Sequence, residues 1–345
     1  MTEKRNSFTR REFVRQVAWG AAALAAAMPV VPGLSRASTL KGGMGYRTLG
    51  RTGLEISEVG LGAGSISPSG ANLIRAALSQ GINFIETSSN YRNSQVETAI
   101  GQTVKSLGMR DKVVILTKSG NLDMGRLLDA PAAAVEKAVR EELEGSLKRL
   151  QTDYVDVYLC PYQANGPREA VLPALREALE KFKKEGKIRF TGLSTHYDYA
   201  NICLAAIAEG YHDVLMFPVN FSTLLPHIGK LAQEAKKTPK SGRGEGAKKA
   251  YDLERPILDV REVLKAARQK KVGVVAMKGA QEGFVPALIR EQVKGEFAKD
   301  TKLSFHQFAY RYVLDQPEVS TVSIRMNNML HLNEALVLPQ KTLKG

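Results

Sequence analysis

Eight short runs of mostly apolar residues recur along the chain: Val59 to Gly64, Phe84 to Thr87, Val113 to Thr117, Val155 to Cys160, Ile188 to Ser194, Val214 to Asn220, Val272 to Met277 and Thr321 to Ile324. They lack a regular polar alternation, which predicts strands buried on both faces, as in a parallel sheet covered by helices. Between them lie longer segments with apolar residues three and four apart, such as "PAAAVEKAVREELEGSLKRLQ" from Pro131 and "EAVLPALREALEKFKKEG" from Glu169. These predict amphipathic helices. Eight strand-then-helix units in about 290 residues predict an α/β fold, a (β/α)8 TIM barrel. An open doubly wound sheet is the alternative, but no G-x-G-x-x-G turn opens a helix after an early strand.

Two segments fall outside that rhythm. Before the first barrel strand, "YRTLGRTGLEISEVGLGAG" has a turn signal at Arg51 to Gly53 between two short alternating runs, so it reads as an N-terminal β-hairpin placed to cap the closed end of the barrel. The stretch from Ala235 to Lys249, "AKKTPKSGRGEGAKK", lacks apolar anchors and reads as a basic flexible insertion at about 235–250, following the sixth strand at the carboxyl-terminal face. The barrel itself is assigned to 46–340 and residues 38–45 to a linker.

The first 37 residues differ in kind. "TRREFVR" leads into "VAWGAAALAAAMPVV", about fifteen mostly small apolar residues, which is too short for a membrane span and has the form of a cleavable export signal. Arg10 and Arg11 followed by Phe13 resemble a twin-arginine signal, and "SRA" at Ser35 to Ala37 predicts cleavage after Ala37. The expectation is a periplasmic or otherwise exported protein that meets the twin-arginine export machinery and has no stable membrane span after cleavage. The plain alternative is a basic amphipathic helix, against which the polyalanine run offers no polar face.

Composition narrows the function classes. With 345 residues, 43% hydrophobic, the chain can bury a large core, and its net charge of +14 favours anionic ligands. No zinc-finger spacing or aromatic-interleaved basic strand argues for nucleic acid. Cys160 and Cys203 are the only cysteines, too few for a metal cluster, and each sits in an apolar run. Both read as inert buried thiols, with a mutual disulfide open in an oxidising compartment.

In a barrel the strand ends converge on one mouth, so their polar residues can be compared directly. Glu86 lies near the end of the second strand, Tyr91 in the loop just beyond, and Lys118 at the end of the third. A lysine paired with a carboxylate and set beside a phenol favours the phenolate, which predicts a lowered tyrosine pKa and a site for proton transfer. Each residue alone reads equally well as packing or as surface charge.

These residues stand in segments that resemble the aldo-keto reductase family. "GINFIETSSNYRNSQVETAIG" is similar to its G-I-N-F-x-D-T-A-x-x-Y-G stretch, "VVILTKSG" to its strand-three lysine, "TDYVDVYLCPY" to its D-Y-x-D-L-Y-L-x-H-W strand four, and "GKIRFTGLSTH" to its G-K-I-R-x-x-G-V-S-N strand five. The likeness runs from about Tyr46 to Leu336. It implies a barrel that binds NADP(H) across its mouth and reduces a small aldehyde or ketone. Tyr91 is then the proton donor, Lys118 the group that lowers its pKa, and Glu86, in the place of an aspartate, the anion that orients Lys118. Pro161 stands where the family has a histidine, so Tyr162, Gln163 or, first, His196 is called on to orient the carbonyl; for His196 the plain alternative is a surface residue. The resemblance places Gly62, Ser194, Thr195, Met277, Lys278, Arg325 and Asn328 at the cofactor and no metal at the site. Thr195, Met216 and Met277 depart from the family's usual residues, and together with Pro161 they keep open a second reading, a weak or inactive barrel that only binds nucleotide or another ligand.

Overall fold

The computed structural model describes residues 39–41, 43–122, 127, 130–161, 168–196, 198–224, 259–280 and 303–338. The export signal, Tyr162, Gln163 and the basic insertion lie outside these residues. Eight parallel strands close into a barrel in the order β10-β11-β4-β5-β6-β7-β8-β9. They are β4 Val59–Gly62, β5 Phe84–Glu86, β6 Val114–Lys118, β7 Val155–Pro161, β8 Ile188–Ser194, β9 Val214–Pro218, β10 Gly273–Met277 and β11 Thr321–Arg325. All eight coincide with the apolar runs, and most of their residues are buried because lumen and helix layer cover both faces.

The described helices are α1 Ala71–Ser79, α2 Gln95–Ser106, α3 Ala132–Leu150, α4 Arg168–Lys184, α5 Tyr199–Glu209, α6 Phe221–Leu224, α7 Arg261–Gln269, α8 Phe305–Leu314 and α9 Met329–Leu336. In α3 the residues Val135, Val139, Leu143 and Leu147 recur every fourth position and are all buried, so one stripe faces the barrel while Lys137 and Glu141 stay in solvent. Helix α8 starts at a capping box: the Ser304 side chain accepts from the Gln307 backbone N–H, and the Gln307 side chain accepts from the Ser304 N–H.

The hairpin is present, with β2 Met44–Thr48 antiparallel to β3 Glu55–Ser57. A further strand, β1 Thr39–Lys41, pairs with β2, so the stretch read as a linker contributes to a three-stranded sheet. The hairpin closes the amino-terminal end of the barrel. Leu49 and Ile56 are fully buried in the same cluster as the lumen residues Phe84, Leu116, Val157 and Val275. Gly50 has φ +51°, and a Cβ there would lie 2.2 Å from the Gly273 nitrogen, so only glycine lets the hairpin approach β10 this closely.

Ion pairs hold this plug. Arg47 donates to Glu58 at 2.7 Å with both side chains buried, and its other nitrogens donate to the carbonyls of Leu314 at 2.6 Å and Val319 at 2.7 Å. Arg51 donates to Asp213 at 2.8 Å and to the carbonyl of His212 at 2.6 Å. Asp156, also buried, accepts from Arg110 at 2.9 Å and Arg189 at 2.7 Å. Cys203 is a buried free thiol, and burial pushes its pKa up; the side chain of Cys160 lies outside the described ones.

Candidate active site

The opposite, carboxyl-terminal end of the barrel opens into a cavity of about 470 Å³. Glu86, the last residue of β5, reaches it with its side chain almost wholly buried. Its Oε1 accepts from Lys118 Nζ and, at 2.9 Å, from the Tyr91 hydroxyl. Its Oε2 accepts from Ser323 Oγ at 3.1 Å. Lys118 Nζ also donates to the Thr87 carbonyl at 2.9 Å and lies 4.8 Å from the centre of the Tyr91 ring. The three residues picked out at successive strand ends therefore form one hydrogen-bonded constellation.

The loop after β5 fixes the tyrosine from behind. Ser89 Oγ accepts from the Gly120 N–H at 2.8 Å and donates to Glu142, while Asn90 Nδ2 donates to the Gly120 carbonyl at 3.0 Å. The loops after β5 and β6 are thus stitched together beneath the site. Arg92, Asn93 and Ser94 then have φ of 48°, 54° and 68°, a left-handed turn without glycine that leads into α2. Such backbone is strained by about 1–2 kcal/mol per residue, least for asparagine, and persists where the surroundings impose it.

One expectation needs correcting. Lys118 does act to lower the Tyr91 pKa, but burial and the Glu86 carboxylate outweigh it, and the phenol is pushed up to about 12. The tyrosine is therefore a neutral O–H across the physiological range. For Lys118, burial pulls the pKa down, yet Glu86 and Tyr91 more than compensate, and the net shift is upward. The ammonium stays charged.

His196 lines the same cavity. Its imidazole is exposed to that open space while protein surrounds it on the other sides; lost solvation, then Lys278, Lys118 and Arg325, push its pKa down to about 4. At neutral pH it is an uncharged imidazole, which can donate one N–H. Pro161 ends β7 with its backbone paired to Ser194.

Of the residues assigned to the cofactor, Gly62, Met277, Lys278 and Arg325 line the cavity. Ser194, Thr195 and Asn328 do not. Thr195 is buried, with its N–H donating to the Met216 carbonyl at 3.0 Å. Asn328 is the N-cap of α9, where its side chain accepts from the His331 N–H at 2.9 Å. Lys278 has φ 57°, and burial followed by the nearby Arg325 lowers its pKa.

Met216, expected on the cofactor side, lines the cavity beside Met277, whereas the far wall was not expected: His306, Gln307 and Tyr310 from α8, His331 and Glu334 from α9. Ser323 was likewise not expected at the cavity. The available signal there was a polar residue in the apolar run "TVSIR", two positions before Arg325 and hence on the same face. Among the described residues, no group of His, Cys, Asp and Glu could hold a metal ion, and no helix is long and apolar enough to cross a membrane.

A closed parallel barrel whose mouth joins a tyrosine, a carboxylate and a lysine, with further cations on the rim, defines a class: (β/α)8 barrel proteins with a cluster of ionisable side chains at the carboxyl ends of the strands. The chain belongs to the aldo/keto reductase family, whose profile matches residues 57–237. It is 35% identical over 193 residues to L-galactose dehydrogenase of Arabidopsis thaliana, covering 52% of this chain and 59% of that protein. It is also 35% identical over 161 residues to an aldo-keto reductase of Bacillus subtilis (strain 168), covering 44% of this chain and 47% of the relative. The chain thus matches about half the length of these relatives. Among solved structures, the holo form of an aldo-keto reductase from Bacillus halodurans superposes with a TM-score of 0.64 at 21% identity, over 87% of this chain and 92% of that one. A thermostable aldo-keto reductase gives a TM-score of 0.63 over 86% and 94%. These likenesses fix the fold as the (β/α)8 barrel.

Proposed function

We propose that the protein is an NADP(H)-dependent reductase of a small aldehyde or ketone, with Tyr91 as the proton donor. The observation that carries this reading is the Tyr91 hydroxyl held 2.9 Å from Glu86 Oε1, which the Lys118 ammonium shares, at the cavity. The residues present suit a dinucleotide. Lys278 is held partly out of solvent near Arg325, burial first and then that charge disfavouring its ammonium, so a phosphate beside it would be stabilising. Gly62 and Gly279 let a ligand approach the backbone closely, and the apolar Met216 and Met277 can pack against a flat ring. When bound, NADPH supplies a hydride to the carbonyl carbon.

The chain's own groups do the rest. Tyr91 turns its O–H from Glu86 toward the carbonyl oxygen and releases the proton as negative charge develops there, and the adjacent Lys118 ammonium stabilises the phenolate left behind. Uncharged His196 donates an N–H to the same oxygen and so takes over the orienting work that Pro161 cannot do. The amino-terminal segment adds a separate proposal, that the protein acts after twin-arginine export; the processed chain is then found in the periplasmic fraction, and an Arg10→Lys, Arg11→Lys variant stays in the cytoplasm.

The test is NADPH consumption with a panel of aldehydes and ketones, wild type beside Tyr91→Phe. Loss of the tyrosine should lower turnover by about 10²–10⁴-fold; undiminished reduction rules out the tyrosine acid. The second reading, a barrel that binds nucleotide with little turnover, is favoured by the upward shift of Tyr91 and by Pro161. It predicts NADPH binding without consumption for every carbonyl tried.

A further inference from the structure

Glu86 and Ser323 sit on β5 and β11, the two strands that flank β4. Glu86 is in register with Gly62 of β4, and Ser323 with Gly60. Two inter-strand spacings of about 4.8 Å therefore separate their backbones, and the side chains must meet across the face of β4. They can do so because β4 shows no side chain there. A Cβ at Gly62 would lie 2.7 Å from Ser323 Oγ, and one at Gly60 would lie 2.8 Å from the Phe84 ring. The glutamate side chain, one methylene longer than an aspartate, spans this gap and brings Oε2 to 3.1 Å from Ser323 Oγ.

The extra methylene also adds a rotatable bond. A carboxylate free to swing holds the Tyr91 hydroxyl and the Lys118 ammonium together on one oxygen for only part of the time. The contact from Ser323 Oγ to Oε2 at 3.1 Å pins the far oxygen and so aims the near one. We propose that Ser323 is a positioning residue for the proton-donating tyrosine: from across β4 it holds the Glu86 carboxylate so that Tyr91 and Lys118 share the opposite oxygen. Gly62 is then required as the open lane between them, in addition to any contact with a cofactor.

The proposal rests on the reading of Tyr91 as the acid, and its test includes a readout that needs no turnover. Ser323→Ala, Glu86→Asp and the double variant are compared with wild type for carbonyl reduction, melting temperature and the Tyr91 ring-carbon resonance in protein with carbon-labelled tyrosine, assigned by its loss in Tyr91→Phe. Ser323→Ala should lower kcat about tenfold with little change in KM for the carbonyl, as expected for one hydrogen bond to a charged group. It should shift the Tyr91 resonance at neutral pH, move the alkaline limb of the kcat profile to lower pH as the carboxylate swings off the phenol, and leave the melting temperature within a few degrees. In the Glu86→Asp background the shorter acid does not reach Ser323, so adding Ser323→Ala should change neither kcat nor the resonance. An unmoved Tyr91 resonance in Ser323→Ala, or an effect of full size in the Glu86→Asp background, overturns the proposal. If no variant, wild type included, reduces any carbonyl, the reductase reading fails while the resonance still decides whether Ser323 aims Glu86.

Discussion

The two ends of this barrel carry charged side chains to opposite effect. At the amino-terminal end the buried charges are matched: Arg47 meets Glu58 and two backbone carbonyls, and Asp156 meets two arginines and the Ile115 N–H. At the mouth, Glu86 faces Lys118, but Lys278 and Arg325 lie close enough to repel each other, and His196 is held neutral among them. Matched buried charges fix the position of a plug. Like charges brought close together cost stability that an anionic ligand would return, as the proposed function requires.

The largest effect should come from breaking the plug. Glu58→Ala leaves Arg47 buried without its carboxylate, which costs about 3–5 kcal/mol, while the turnover of the folded fraction stays at the wild-type value. Denaturant melts beside specific activity check both parts.

Acid should break the same end next. Burial pushes the His212 pKa down to about 4; Arg176, Lys183 and Arg51 add to this and Asp213 opposes it. The unfolded chain takes a proton near 6.5, which the folded chain refuses until about 4. Stability is therefore full above 6.5 and falls as the pH drops through that window, by about 3 kcal/mol from this residue. In His212→Gln the fall should shrink by that amount.

The mouth should respond the other way. Lys278→Ala should weaken NADPH binding about tenfold while leaving the melting temperature equal or higher, because it removes a repelled cation. Equal loss of stability and of binding would place Lys278 with the matched charges instead. The smallest effect is local. Ser94 caps α2 with φ 68° and no side-chain hydrogen bond to that helix, so Ser94→Gly should stabilise by up to about 1 kcal/mol.

Much of this was legible in the chain. The eight strands announced themselves as apolar runs because a closed parallel barrel buries both faces of each strand. Glu86, Tyr91 and Lys118 were legible because strand ends converge whatever the loops do. What was not legible depends on contacts distant in sequence. Ser323 meets Glu86 across 237 positions, and no local pattern marks that pair. The direction of the Tyr91 shift depends on how far burial outweighs Lys118, which only coordinates can weigh. Asn328, assigned to the cofactor, caps α9 with its side-chain oxygen, and asparagine just before an apolar helix is itself a cap signature. The walls from α8 and α9 carry ordinary helix periodicity and gave no sign that they face a cavity.

Calorimetric titration of NADPH and NADP into the chain from Ser38 onward, after removal of any nucleotide carried through purification, decides whether the mouth is the nucleotide-binding end of a reductase. Saturable one-site binding that weakens with salt and with Lys278→Ala is the expected result. No heat from either nucleotide, with the barrel folded, would contradict it.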